Sequence, residues 1–423
     1  MRRFKLDFHL PPPGILFASI CIFAIHLAAC SPPTTPSATL QSTATRTAPQ
    51  LGPTSTPKPV TPTPTPAPPT PTLMPLPPIS DSDWSRGPSD ATVTILVYSD
   101  FQCPYCAGLA PILGELRALH ADDLRIVFRH YPLIIMHDKA SLAGQAAEAA
   151  GAQGRFWEMH DLLFERYNEW NELSAEDFIE WLASVVPEIG IDSGQLLEDI
   201  NNGRYKSMME EAFLQGYASG LLGTPTLFLN GELFPIEPTL ELLEASIRLL
   251  LLEERHYLGY PPDELEPGRN YVAFLQLNTG EVVIQLYPDI APLAVNNFIY
   301  LAREGWYDDN PIFRVVPDVL VESGDPSGTG FGDPGYHFAI ETDPTLNFDQ
   351  PGMVAMSSTG PNTNGCQFFI NLSPIPEFND ARTIFGRVIE GLEYLTPLRA
   401  REPMDDILTE PKASILTIRI EER

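Results

Sequence analysis

The chain has 423 residues, a length for two or three domains, with 43% hydrophobic residues and a formal net charge of −29. That acidity leaves no basic stripe for nucleic acid and does not favour an anionic lipid surface. Five cysteines make no disulfide scaffold, whereas the 44 prolines, crowded near the N-terminus, set one stretch apart from ordinary globular sequence.

Arg2, Arg3 and Lys5 give a positive start, and residues 15–29 are an apolar run, short for a membrane span. The run ends in Leu27-Ala28-Ala29-Cys30, which resembles the bacterial lipobox. That resemblance implies a signal peptide over residues 1–29, a lipid-carrying Cys30 and a protein held at the cell membrane, outside the cytoplasm. An uncleaved anchor or ordinary signal cleavage are the other readings, and the anchor too places the body outside the cytoplasm. Residues 30–80 then form a Pro/Thr-rich disordered linker, as in Thr61-Pro62-Thr63-Pro64-Thr65-Pro66, with too few large apolar residues to bury. Such chain is stiff and serves as a stalk.

The next region, residues 81–260, is organised around Phe101-Gln102-Cys103-Pro104-Tyr105-Cys106. A strand-like run over residues 92–101 precedes it and a helical pattern over residues 107–119 follows. This places Cys103 at a helix N-terminus, whose partial positive charge favours thiolate, with Cys106 one turn further in. Strand, C-x-x-C, helix is an arrangement for thiol–disulfide exchange. A zinc knuckle would need about two more ligands, for which there is no second C-x-x-C or close His pair. A strand is expected over residues 124–131, then helices over 139–151, 154–167, 175–185 and 194–218, with Ser174 and Asp177 as a capping pair. Asn230-Gly231 turns a hairpin, and a last helix covers residues 239–255.

Ser99-Asp100-Phe101-Gln102-Cys103-Pro104-Tyr105-Cys106, Phe156-Trp157-Glu158-Met159-His160 and Gly223-Thr224-Pro225-Thr226 resemble the DsbA-type branch of the thioredoxin superfamily. The resemblance implies an α/β thioredoxin fold with a helical insert. It makes Cys103 the attacking and Cys106 the resolving cysteine. Pro225 becomes a cis-proline facing them, with the Thr224 backbone open to an extended substrate. The family often has a buried acid where Val97 stands, which leaves Asp100 or water to take the proton of the resolving thiol. His130, His137 and His160 are given no catalytic work.

After a short link over residues 261–269, residues 270–423 read as a mainly-β barrel closed by a helix or two. Strands are expected over 271–277, 282–287, 312–316, 319–321, 353–356, 367–371 and 384–388, and a helix over 292–303. Phe313-Arg314-Val315-Val316-Pro317, Gly324-Asp325-Pro326-Ser327-Gly328-Thr329-Gly330 and the run from Gly360 to Ile370 resemble cyclophilins. These are peptidyl-prolyl cis-trans isomerases, which hold a proline ring in an apolar pocket beside a cationic donor. The resemblance makes Arg314 the catalytic arginine, places Met356, Phe369 and Phe378 at the proline pocket and sets Gln367 in its polar wall. Val319, Glu322, Glu377 and Arg382 depart from the family pattern, and Glu322 is placed to pair with Arg314. Cys366 reads as a small buried residue.

The expectation is a multidomain, membrane-tethered, extracytoplasmic folding factor that exchanges disulfides and isomerises prolyl bonds, both slow steps in folding. It needs no metal or cofactor beyond the redox-active Cys103–Cys106 pair. Its partners are unfolded or folding exported proteins, a membrane redox partner and the membrane, but no nucleic acid. The alternative is a disulfide reductase or isomerase whose cyclophilin module is weakly active or only binds proline, as a client-binding chaperone.

Overall fold

A computed structural model describes residues 75–423. The signal peptide, the lipidation at Cys30 and most of the Pro/Thr-rich linker lie outside the described residues. Among the described residues no helix is long and apolar enough to cross a membrane.

The first module is built on a five-stranded sheet of order β1-β3-β2-β4-β5. Its strands are β1 (Trp84–Arg86), β2 (Val93–Ser99), β3 (Leu124–His130), β4 (Thr226–Leu229) and β5 (Glu232–Leu233). The central β2 reads Val-Thr-Ile-Leu-Val-Tyr-Ser and is buried at all but one position, so both of its faces are covered. It runs parallel to β3 and antiparallel to β4. A parallel neighbour needs a crossover, and helix α1 (Pro104–Leu119) supplies it. The cysteines therefore sit where the central strand turns into the crossover helix.

Between β3 and β4 come α2 (Ala140–Gly151), α3 (Phe156–Glu165), α4 (Tyr167–Trp170), α5 (Ala175–Val185), α6 (Ser193–Asn201) and α7 (Lys206–Ala218). The Ser174 hydroxyl caps α5 by accepting from Asp177 N at 3.1 Å. Alanine-rich α2 is buried almost throughout, because its small side chains let other helices approach; a Cβ on Gly144 would meet Met209 Sδ at 2.2 Å. The helix expected over residues 194–218 is two helices. The chain breaks at Asn202-Gly203, where Gly203 has φ +64, and an apolar period read across the break joins what the backbone separates.

Helix α8 (Leu240–Glu253) ends the first module and begins the contact with the second. Leu252 belongs to the second module's core cluster, and the Arg255 guanidinium lies 4.9 Å from the Trp306 ring centre. Tyr257 N donates to Pro334 O at 2.9 Å, and Glu264 N to Asn296 Oδ1 at 2.6 Å. The stretch 261–269, expected as a link, is thus bonded to the module that follows it.

The second module is a nine-stranded sheet of order β8-β14-β6-β7-β13-β11-β12-β10-β9. Its strands are β6 (Tyr271–Leu277), β7 (Gly280–Leu286), β8 (Asn310–Pro311), β9 (Arg314–Val316), β10 (Leu320–Ser323), β11 (Met353–Met356), β12 (Phe368–Asn371), β13 (Ile384–Glu390) and β14 (Ser414–Glu422). The two edge strands, β8 and β9, follow each other in the chain with only Ile312 and Phe313 between them, so the sheet curls until its edges approach. Helix α9 (Pro292–Arg303) packs its apolar face on this curl through Val295, Phe298 and Leu301.

Candidate active sites

Cys103 is the N-cap of α1, with an extended backbone at φ −78 and ψ 123. Its N–H closes a turn on Asp100 O at 3.1 Å, and its thiol donates to Thr224 O at 3.3 Å. The Thr224–Pro225 peptide is cis. Both cysteines are free thiols, 3% and 2% exposed. The Cys106 thiol, donating to the Cys103 sulfur, lowers the Cys103 thiol to about 6; burial opposes this, and the Thr224 hydroxyl and the N–H groups of Cys106 and Tyr105 add to it. Burial, then the neighbouring Cys103, push Cys106 well above an ordinary thiol. One sulfur is set to be charged and the other to keep its proton.

The loop before α1 is held from several sides. Asp100, 2% exposed, accepts from Gln102 N at 2.8 Å, Leu133 N at 2.8 Å and His137 Nδ1 at 2.7 Å. The Gln102 amide reaches Asp138 Oδ1 at 2.7 Å and accepts from Lys139 N at 2.6 Å. Tyr167 O–H donates to Gln102 O at 3.0 Å. His137, given no role from sequence, is therefore in the loop's bonding network; no motif around it signalled this, because its partner Asp100 stands 37 residues earlier. His160 is instead packed among Phe101, Phe128, Trp157 and Phe164, and burial lowers its pKa. His130 pairs with Glu148 at 2.9 Å. Val97 opens onto a cavity of about 430 Å³ between α1 and α3, whose carboxylates, among the described residues, are Asp161, bound by Arg86, and Glu165.

In the second module, side chains alternate between the interior of the curled sheet and its outer face. Val321, Val354, Met356, Phe368 and Ile370 go into the interior cluster. Leu320, Met353, Ala355 and Phe369 form an outer cluster with Phe348, against which Val319 and Phe378 pack. Phe369 stacks on Phe348 at 5.6 Å and meets Phe378 edge-on at 5.7 Å. Met356 is thus not at the pocket with Phe369. Its register partner is Phe368, while Ala355 is the partner of Phe369, so Met356 points to the opposite face. Leu320 instead shares the outer cluster with Phe369, and the signal was available: it lies two residues before Glu322, the register partner of Phe369, on the same face.

Arg314 and Glu322 are register partners on β9 and β10. Arg314 Nη1 donates to Glu322 Oε1 at 3.0 Å, and Nε donates to Glu402 Oε2 at 3.1 Å. Burial raises the Glu322 carboxyl above its ordinary value even with Arg314 beside it. Gln367 Nε2 donates to Gly330 O at 3.1 Å and Gly332 O at 2.8 Å, which ties it to the loop after β10. Glu377 is exposed, and Arg382 bonds Ser358 O at 2.6 Å while its guanidinium lies 5.4 Å from the Phe378 ring centre. Cys366 is 1% exposed, and burial pushes its thiol well up.

That same loop receives the first module. His120 Nε2, at the end of α1, lies 2.7 Å from Glu244 Oε2 on α8. Arg248 Nε donates to Glu244 Oε1 at 2.6 Å, and Arg248 Nη1 to Ser327 O at 3.5 Å.

Comparison with known proteins agrees with two modules. Residues 272–420 match the cyclophilin type peptidyl-prolyl cis-trans isomerase/CLD family model, and residues 80–248 match a thioredoxin family model. The peptidyl-prolyl cis-trans isomerase-like 1 of Homo sapiens is 37% identical over 156 residues, which are 35% of this chain and 92% of the relative. The peptidylprolyl isomerase cyp7 of Schizosaccharomyces pombe is 44% identical over 133 residues, 31% of this chain and only 29% of that relative. The Na(+)/H(+) antiporter NhaA 1 of Salinispora arenicola is 35% identical over 189 residues, 45% of this chain and 27% of that protein. The chain belongs, through residues 272–420, to the cyclophilin-type peptidyl-prolyl cis-trans isomerases, and carries a thioredoxin-like module before that domain.

Proposed function

We propose that the chain is a membrane-tethered, extracytoplasmic folding factor that combines DsbA-type thiol–disulfide exchange at Cys103 and Cys106 with prolyl isomerisation at Arg314. The observation that carries the redox half is the opposite setting of the two thiols, with Cys103 lowered to about 6 and Cys106 raised by burial. In the oxidising direction a client thiolate attacks Cys103 Sγ of the Cys103–Cys106 disulfide. The S–S bond breaks, and Cys106 leaves as thiolate and takes a proton. A second client thiolate then attacks the client sulfur of the mixed disulfide and expels Cys103 as thiolate. The client loses two electrons and the pair gains them; the reverse sequence is reduction. A client strand lies along Thr224–Pro225, and a membrane redox partner resets the pair.

In the isomerase half, Phe369, Phe378, Leu320 and Val319 receive the proline ring. Arg314 donates toward the prolyl nitrogen, which weakens amide resonance as the bond turns. Gln367 gives a polar wall. The segment ending in Cys30 supports lipid attachment outside the cytoplasm. Exported chains in the course of folding are the clients both reactions suit.

The deciding experiment is equilibration of the full chain with glutathione buffers. A potential near about −120 mV makes the pair a disulfide donor, and one near about −270 mV makes it a reductase or disulfide isomerase. No measurable exchange rejects the redox half. The double carboxylate contact on Arg314, with the smaller Val319 in the pocket, favours a second reading of the other half as a proline-binding client module. Binding of a prolyl peptide without faster isomerisation selects that reading.

A further inference from the structure

The two residues between the cysteines, Pro104 and Tyr105, are uncharged, and so is the rest of the first turn of α1. Charge that acts on Cys103 beyond the helix terminus therefore comes from elsewhere. The carboxylate that stands nearest to Cys103 along the sequence is that of Asp100, whose carbonyl closes the turn on Cys103 N at 3.1 Å. A bare carboxylate there opposes a thiolate. This one is paired: His137 Nδ1 lies 2.7 Å from its Oδ2, and Leu133 N donates to the same oxygen at 2.8 Å. Two bonds thus fix the loop of residues 131–139 against the loop that ends in Cys103. His137 keeps 18% of its side chain exposed while Asp100 has none, so the imidazole is bonded on one side and hydrated on the other.

The other charged groups around this pair are already matched. Asp138 pairs with Lys139 Nζ at 2.7 Å and accepts from Gln102 Nε2 at 2.7 Å. From α4, Tyr167 faces the same loop, and burial followed by the charge of Cys103 raises its phenol, so it stays neutral. Asp100 foremost raises the pKa of His137, against the opposing effect of burial, with further help from Cys103 and Asp138.

We propose that His137, held by Asp100, is a positioning residue for thiol exchange: its charge cancels that of Asp100 and lets Cys103 stand as thiolate. The proposal deepens the exchange reading and rests on it. A more stable Cys103 thiolate makes the reduced pair more stable and the disulfide more oxidising.

The test follows thiolate absorbance against pH in the reduced full chain, with Cys103→Ser as the blank. In His137→Gln the Cys103 titration is expected to move up by roughly one pH unit, an about tenfold smaller thiolate fraction at pH 5. An unchanged midpoint overturns the proposal. A second measurement needs no variant that must fold. His137 is titrated by NMR in the wild type, as dithiol and as disulfide. Mutual interaction requires a higher midpoint in the dithiol form, where Cys103 is charged. Equal midpoints in the two forms overturn the proposal. Both readouts are of ionisation and not of turnover. A shifted titration in a protein that oxidises and reduces no client supports the role of His137 while rejecting the exchange function. An unshifted one in an active enzyme rejects His137 alone.

Discussion

Arg314 and Glu322 face each other across β9 and β10, with 3.0 Å between Nη1 and Oε1, and Glu322 is the more buried of the two, at 12% side-chain exposure against 38%. The carboxylate competes with the prolyl nitrogen for the guanidinium. Glu322→Gln should therefore raise turnover on a short prolyl peptide by about fivefold, roughly 1 kcal/mol of transition-state stabilisation. Because burial raises the Glu322 carboxyl, protonation mimics the substitution as pH falls. The gap between wild type and Glu322→Gln should accordingly narrow on the acid side. A lower or unchanged rate in the variant would reject competition by Glu322.

The two thiols should separate in a trapping experiment. Cys106→Ser leaves the lowered thiol of Cys103 in place and removes the sulfur that resolves its adducts. Mixed disulfides with unfolded, oxidised client should accumulate on Cys103 and be released by reductant. Cys103→Ser should accumulate none, because the remaining thiol is buried and protonated. Equal trapping by both variants, read by mass spectrometry, contradicts the assigned order of attack.

The pH dependence has a definite sign. A thiol lowered to about 6 is mostly thiolate at pH 7. Alkylation of reduced Cys103 by iodoacetamide should therefore be nearly flat from pH 7 to 8. It should halve near pH 6 and fall about tenfold per unit below that. Cys106 should resist alkylation over the whole range. A Cys103 rate that still climbs steeply between pH 7 and 8 would place its pKa at the ordinary thiol value.

The segment between the modules should contribute to the stability of the second. Tyr257 and Leu265 pack against its core, and Glu264 pairs with Arg303. A protein of residues 254–423 should be more stable to urea than one of residues 270–423 by about 1–3 kcal/mol. Equal midpoints would make the segment a passive link.

The parts of this protein that are legible in the sequence are local. Cys103 and Cys106 announce themselves because strand, C-x-x-C and helix adjoin, and Asn230-Gly231 announces a hairpin. Arg314 and Phe369 stand out as candidates because they sit in long motifs. Met356 is misplaced because a strand's two faces differ by one residue, and only pairing with β12 reveals which face Phe369 takes. Glu402 is invisible because it meets Arg314 from 88 residues away, out of a loop with no motif of its own. The same holds for His137 and Asp100. The edge strand β1 is too short, at three residues, to show a period, and its place is set by pairing with β3. Such positions are fixed by tertiary contact, which pattern along the chain does not encode.

The seat of α8 on the loop after β10 has a consequence for how such a chain is assembled or altered. Arg248 reaches Ser327 O, Leu252 enters the second module's core, and Gln367 is fastened to the same loop at Gly330 and Gly332. A foreign isomerase domain grafted after residue 260 would meet Arg248 and Leu252 with a loop of another shape. It would leave Leu252 in water and Arg248 without the Ser327 carbonyl that it bonds. The two modules are therefore not interchangeable parts on a string: either one can be exchanged only together with the surface that receives it.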